Sequence, residues 1–344
     1  MRYLGNKNKL LAEIETFINE NVNDKSISFC DFFAGTGSVG SHFNRFYEIK
    51  SNDYMYYSYV VNRGKLCYNG DSLEKLERHL GTDSVFKYLS EMKYDVNTGD
   101  STDFCYTNFS EGGSDRKYFS VENAIKIDRI RKDIDLWKSE GIIDEAEYFY
   151  LLMCLIESVS KVSNTTGVFG AYLKEYDNRA IKNMEFLEII VENHDNEKNF
   201  VYNMDTNELS KVAKGDIVYL DPPYTNQQYC DQYHVLETIA RYDNPEVRGI
   251  TGKRTSTKSL YSYKRTAKDT IEDLIKNLDF KHIILSYNDE SIVDIETLSD
   301  ILRKYGKPES FKYKRIEYNK YKNQRTDNEN KKKLNEYLFY IQKQ

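Results

Sequence analysis

The tetrapeptide Asp221-Pro222-Pro223-Tyr224 directly follows the apolar run DIVYL at 216–220. The chain has only four prolines, and two of them stand here. Adjacent prolines fix the backbone and remove two amide donors, so nearby carbonyls are left to accept from a ligand. Asp221 adds a carboxylate acceptor and Tyr224 a flat ring. Two acceptors beside a planar ring suit an exocyclic amine on a heterocycle better than a phosphate or a sugar. The competing reading is an Asp-Pro turn with a core tyrosine.

A second constellation is Asp31-Phe32-Phe33-Ala34-Gly35-Thr36-Gly37, running on into Ser38, Val39 and Gly40, with Asp53 further along. A glycine turn between a strand and a helix lets a ligand lie against bare backbone while the helix offers free amides. A carboxylate closing the second strand suits a ribose diol. Alone, this pattern spans nicotinamide, flavin and S-adenosylmethionine sites, and a plain strand-to-helix turn also accounts for it. The five cysteines and five histidines are scattered, with no CxxC pair. Neither a metal site nor a disulfide framework is expected.

These residues need elements to hold them. Residues 8–20 carry apolar side chains at helical spacing, and 27–33 and 48–53 read as short strands around the glycine turn. Residues 61–142 are polar and show no regular alternation, and a strongly apolar helix follows at 144–162, then the loop NTTGVFG at 164–170. Strands return at 200–204, 216–220 and 282–287, with helices at 269–278 and near 293–304. Residues 310–318 and 335–342 alternate like a terminal antiparallel pair. Strands separated by helices predict an α/β fold with a mostly parallel sheet covered on both faces. The sheet domain is expected from residues 1–60 and 196–344, with 61–195 inserted and mainly helical.

Composition narrows the class. At 40% apolar and 30% charged residues, the 344-residue chain is not disordered throughout. No apolar run approaches the roughly 20 residues that cross a bilayer, and MRYLGNKNKLLAEIE has no signal-peptide pattern, so a cytoplasmic protein is expected. The net charge of −6 is uneven. Residues 248–268 carry +7 and 301–333 carry +8, leaving −21 on the other 290 residues. Such polarity fits one anion-facing surface. Within 244–270, Arg248, Lys253, Arg254, Lys258, Lys264 and Arg265 read as a phosphate-contacting loop, or else as a solvated surface.

Asp-Pro-Pro-Tyr downstream of Phe-Ala-Gly-Thr-Gly, with the leading Arg2-Tyr3-Leu4-Gly5-Asn6-Lys7, resembles the D12 class, or α group, of adenine-N6 DNA methyltransferases. The motif order is that of the Dam-type enzymes. The likeness covers 1–55 and about 198–290, and NTTGVFG within the insert. Around DPPYTNQQY and HVLETIARYDNP the chain is similar to family enzymes of restriction-modification systems that act on non-palindromic sites.

The resemblance implies a Rossmann-like S-adenosylmethionine-dependent methyltransferase sheet with an inserted target-recognition domain. Phe33, Ala34, Gly35 and Gly37 would cradle the methionine part of the cofactor, Asp53 its ribose, and Met204 with Asp205 its adenine. Tyr3 and Lys7 would close over it. Asp205 reads equally as the N-cap of a helix beginning at NELSKVA. Asp221, Pro222, Pro223 and Tyr224 would form the catalytic tetrad. Asp221 and the Pro222 carbonyl would accept from the amino group of an adenine flipped out of double-stranded DNA, and Tyr224 would stack on that base.

In the insert, Asn62, Arg63, Tyr106, Asn108, Arg116, Lys117 and Tyr118 could read base edges, whereas Trp137 and residues 151–156 read as core. A cognate restriction endonuclease and a monomer or weak dimer are the expected context. The alternatives are a cytosine-N4 or RNA adenine amino-methyltransferase, and a catalytically silent nucleic-acid-binding protein on the same scaffold. A nicotinamide oxidoreductase leaves the tetrad unexplained.

Overall fold

A computed structural model describes residues 3–70, 73–93, 97, 99–100, 102–192, 198–319 and 333–343. Arg2, the expected domain boundary at 195–196, and residues 320–332 of the basic C-terminal run lie outside them. The first half holds α1 (Leu11–Asn21), β1 (Ser28–Asp31), α2 (Ser38–Phe43), β2 (Glu48–Asn52) and α3 (Tyr56–Leu66). Five helices follow: α4 (Glu74–Leu80), α5 (Val85–Glu91), α6 (Phe104–Phe109), α7 (Val121–Ser139) and α8 (Glu145–Val162). Next come β3 (Phe200–Tyr202), α9 (Thr206–Ser210), β4 (Lys214–Leu220), α10 (Tyr229–Gln232) and α11 (His234–Arg241). A hairpin of β5 (Val247–Arg248) and β6 (Lys253–Arg254) precedes α12 (Ala267–Asn277), β7 (Asp279–Asn288) and α13 (Ile295–Tyr305). The chain closes with β8 (Lys312–Asn319) and β9 (Lys333–Gln342).

Seven strands make one sheet in the order β3-β2-β1-β4-β7-β9-β8. It is parallel from β3 to β7, while β9 runs antiparallel to both β7 and β8. The expected terminal antiparallel pair is therefore present. Strand side chains alternate between two cores. Phe29, Ile217 and Ile284 pack with Ile14, Phe17 and Ile18 of α1 on one face, while Cys30, Val218 and Ile283 pack with α12 and α13 residues on the other. Both faces being covered, β1 is buried at every residue and β4 from Asp216 onward, rather than alternately.

A third cluster joins α3, α7, α8 and α11. Helix α8 is apolar nearly all round because residues 149–156 are buried, and Asp144 with Glu147 closes a capping box at its start. Residues 61–142, which show no alternation in sequence, are helical wherever they form elements, with no strand among the described residues. Their period is hidden because α7 buries charges. Asp128 accepts from the amides of Cys105 and Tyr106 and from the Tyr242 hydroxyl, and Arg131 donates to the Ile239 and Ala240 carbonyls at the end of α11. Trp137 and residues 151–156 are core, as read. Among the described residues no helix is long and apolar enough to cross a membrane.

Candidate functional site

Parallel strands aim their carboxyl ends in one direction, and the loops there form the natural ligand crevice of an open α/β sheet. The loops after β1, β2 and β4 meet at a cavity of ≈ 710 Å³. Phe33 from the first loop, Asp53 from the second, and Asp221 with Pro223 from the third all line it, as do Tyr3 and Asp205. Carboxylates dominate the polar lining, with Glu208, Asp269 and Asp273 added and Lys258 opposing them.

At the glycine turn the protein's own side chains stand close to the backbone. Gly35 has φ +52°, and a β-carbon there would lie 2.5 Å from the Tyr3 ring. Gly37 has φ +74°, and its β-carbon would meet Asn62 Oδ1 at 2.6 Å. The space left by the missing side chains is thus taken by the protein's own Tyr3 and Asn62. Ala34, Gly35 and Gly37 do not line the cavity, whereas Phe33 does. Asp53 Oδ2 accepts from the Gly35 amide and Oδ1 from the Met55 amide, both at 2.8 Å. Burial pushes the Asp53 carboxyl up to about 7 despite those two amides.

Asp205 caps a helix and also borders the cavity. Its Oδ1 accepts from the Asn207 and Glu208 amides as the N-cap of α9, and its side chain lines the cavity. Met204 does not reach the cavity and packs against the sheet core instead.

Lys7 stands apart from the other residues read for the cofactor. It is not among the residues lining the cavity and packs against the tetrad, 5% exposed, with Nζ 2.7 Å from Glu336 Oε1 and 3.0 Å from Asp221 Oδ1. Burial and the neighbouring Glu336 push Asp221 above the usual carboxylate range, with the Lys7 ammonium pulling the other way. Burial first, then Asp221, raises nearby Asp31 to about 8. The Tyr224 ring lies under the same ammonium, 5.5 Å from its centroid, and edge-on to Tyr287. Pro222 is buried and Pro223 faces the cavity.

Sequence reasoning missed Glu336 of β9, which also accepts from Ser286 Oγ at 2.5 Å. The available signal was a charge at 336 on the same strand face as the apolar Leu338 and Tyr340. Tyr229 and Tyr233 were missed too. Tyr3 stacks on Tyr233 at 5.0 Å, the Tyr233 hydroxyl accepts from the Leu4 amide, and the Tyr229 hydroxyl donates to the Leu4 carbonyl. The leading segment is thereby fastened to α10 and α11 over the cavity.

The basic segment is less bare than its sequence. Arg248 pairs with Glu246, Arg254 with Asp243, and both Lys258 and Lys253 with Asp231 at 2.6 and 3.7 Å. Lys264 and Arg265 are exposed.

Most candidate base readers in the insert are engaged inside the protein. Asn62 and Tyr118 are fully buried, Arg63 pairs with Glu145, and Lys117 with Glu111. Asn108 bonds the Phe104 carbonyl, and the Tyr106 ring packs over Gly99 and Gly112. Arg116 donates to the Gly249 and Ile250 carbonyls, and Tyr118 to that of Thr251, so together they brace the β5–β6 hairpin. No metal-ligand cluster occurs among the described residues.

The family model of the D12 class N6 adenine-specific DNA methyltransferases matches residues 3–301. Over its whole length the chain is 40% identical to the type II methyltransferase M.FokI of Planomicrobium okeanokoites, covering 53% of that protein, and 40% identical to the modification methylase LlaI of Lactococcus lactis subsp. lactis, covering 55%. It thus spans about half the length of these curated relatives. It is also 37% identical to the type II methyltransferase M.NlaIII of Neisseria lactamica, covering 100% of this chain and 99% of that protein. The match across the glycine turn, the Asp-Pro-Pro-Tyr loop and the helices between them means that this chain belongs to the D12 class of N6 adenine-specific DNA methyltransferases.

Proposed function

We propose that the protein transfers a methyl group from S-adenosylmethionine to the N6 amino group of an adenine flipped out of double-stranded DNA. One observation carries this reading: Asp53 and Asp221, from the ends of two strands of one parallel sheet, line the same cavity. The donor supplies a methyl on a positively charged sulfur. The lining fits such a group, because the cavity is within the usual range for small-ligand sites and its carboxylates outnumber its one lysine. Asp53 would take the ribose hydroxyls and Asp205 a polar edge of the donor's base. Phe33, with Tyr261 edge-on to it at 5.2 Å, forms an apolar wall.

Asp221 would accept from the adenine amino group. That hydrogen bond draws the nitrogen's lone pair out of the ring and orients it, so that positioning supplies the catalysis. Pro222 and Pro223 keep the loop rigid without competing donors. Tyr224 offers a face for the flipped base, offsetting part of the few kcal/mol of unstacking.

We assign residues 61–195 to target recognition and the β5–β6 hairpin, braced by Arg116, to DNA contact. Relatives named modification methylases support a place in a restriction-modification system with a cognate endonuclease. The test is to incubate the protein with labelled S-adenosylmethionine and DNAs of varied sequence, then digest to nucleosides. Label in N6-methyl-2′-deoxyadenosine is expected. Label in N4-methylcytosine, in RNA only, or in neither would overturn the reading.

A further inference from the structure

The turn that closes the β5–β6 hairpin is firmly held and yet presents an apolar side chain to solvent. Val247 pairs with Arg254 and Arg248 with Lys253, and the Gly252 amide donates to the Gly249 carbonyl at 3.2 Å, so Ile250 and Thr251 are the central residues of a tight turn. Gly249 at φ +70° and Gly252 at φ +65° flank them. Three successive carbonyls of the turn are engaged from the insert. Arg116 donates to those of Gly249 and Ile250, both at 3.2 Å, and the Tyr118 hydroxyl lies 3.1 Å from that of Thr251. The same hydroxyl is 3.3 Å from His234 Nε2, and both rings are fully buried. Ile250 itself is 83% exposed, and a β-carbon on Gly249 would meet nothing within 4 Å among the described residues.

We infer that Ile250 is an apolar wedge for DNA: its side chain enters the base stack beside the flipped adenine and fills part of the gap that the base leaves. The inference rests on the methyl-transfer reading above. A lone exposed apolar side chain is common on protein surfaces. One carried on a backbone fixed at three consecutive carbonyls cannot fold back to hide, and a turn ordered before binding loses little entropy on entering the duplex. Isoleucine is among the side chains that separate base steps, and filling the gap offsets part of the cost of unstacking.

Charge and placement select nucleic acid as the partner. Five cations stand around the turn, Arg116, Arg248, Lys253, Arg254 and Lys258, and the carboxylates paired with them are three, Asp231, Asp243 and Glu246. A surplus of positive charge around one apolar tip suits a phosphate backbone with stacked bases behind it. The hairpin also stands at the cavity. Lys253 and Lys258 both pair with Asp231, whose neighbour Cys230 lines the cavity, as do residues 257–261. The Ile250 Cα is three residues from that of Lys253 and so at most about 11 Å away, the span of roughly three base steps.

The test compares parent, Ile250→Ala and Ile250→Leu on a duplex carrying the sequence that the labelling experiment identifies. Steady-state methylation is measured on that duplex and on one with an abasic site opposite the target, and 2-aminopurine in place of the target adenine reports unstacking by its fluorescence. Ile250→Ala should lower kcat/KM on the paired duplex about tenfold, the lower end of what burying an isoleucine side chain is worth, and should reduce the 2-aminopurine emission. On the abasic duplex, where the target is unpaired and easier to extrude, the loss should shrink to about twofold. Ile250→Leu should stay within about threefold of the parent on both. Melting temperatures should match the parent's, because the side chain is so largely exposed.

Parental emission and turnover in Ile250→Ala overturn the inference, as does an equal loss on both duplexes, the mark of a general DNA contact. Weaker self-association of Ile250→Ala in sedimentation, with methylation intact, would make Ile250 a contact between copies of the chain and overturn it too. A parent protein that does not methylate DNA sinks the underlying reading itself, an outcome distinct from an active parent indifferent to position 250.

Discussion

Asp53 and Asp221 are both carboxylates on one cavity wall, each just past the end of a parallel strand, yet they are held by different means. Two backbone amides hold Asp53, one from the neighbouring glycine turn and one from two residues along its own loop. Asp221 depends on an ammonium from residue 7, itself tied to a carboxylate at residue 336. Amide dipoles are fixed by the fold of the loop and cannot leave. A lysine can move between two acceptors, so its effect on Asp221 is adjustable and vulnerable. The Asp53 end of the cavity is thus preset by local chain geometry, and the Asp221 end is assembled from residues far apart in the chain.

The largest effect is expected at Asp221. Asp221→Ala should lower methyl transfer on the order of 10²–10³-fold, while calorimetry finds methyl-donor affinity near the parent's. Parent-like turnover would end the assignment of this carboxylate.

At the other end, Gly35→Ala should destabilise the fold by roughly 1–2 kcal/mol for the left-handed backbone alone, plus the displacement of Tyr3. Gly81→Ala is the control, since Gly81 has φ +66° with nothing within 4 Å of a new β-carbon. Thermal unfolding should show the larger drop at Gly35, and equal drops would mean that the Tyr3 lid does not bear on this turn.

Asp53 makes a signed prediction. Because burial raises its carboxyl to about 7, folding binds a proton, and stability falls as pH rises through the window from the ordinary carboxylate value, about 4, to about 7. Asn cannot ionise. The melting temperature of Asp53→Asn relative to the parent should therefore climb by a few degrees across that window, and a flat difference would show that the two amides already cancel the burial.

The smallest effect is expected on the basic segment. Neutralising Lys264 and Arg265 should flatten the salt dependence of DNA binding by roughly 0.9 for each phosphate that is no longer neutralised. Lys253, Arg254 and Lys258 are already paired with Asp231 and Asp243, so removing these three should flatten it less per charge. The reverse ranking would place the hairpin's own ion pairs outside the bound state.

Much of this is legible in the sequence. Four prolines in the chain make Pro222 and Pro223 conspicuous, and the apolar runs at 27–33, 216–220 and 282–287 mark buried parallel strands because covered sheets read that way. The helices between 61 and 142 are not legible, since Lys126, Asp128 and Arg131 spoil the apolar period of α7 while being satisfied by carbonyls, amides and side chains far off in sequence. The charge count of residues 248–268 misleads for a related reason. It counts only residues within its bounds, whereas Asp243 lies just before them and Asp231 reaches the segment through space.

The amino-acid sequence by itself determined the strands, the turn residues and the acceptor set of the tetrad, because these depend on local backbone preference and on side-chain type. Only the tertiary structure decided that Gly35 faces Tyr3, that Asp205 both caps a helix and lines the cavity, and that Lys7 stands between Asp221 and Glu336. Those are distances of a few ångströms between residues up to hundreds of positions apart. Local preference carries no information about such pairs, and the packing of both sheet faces sets them.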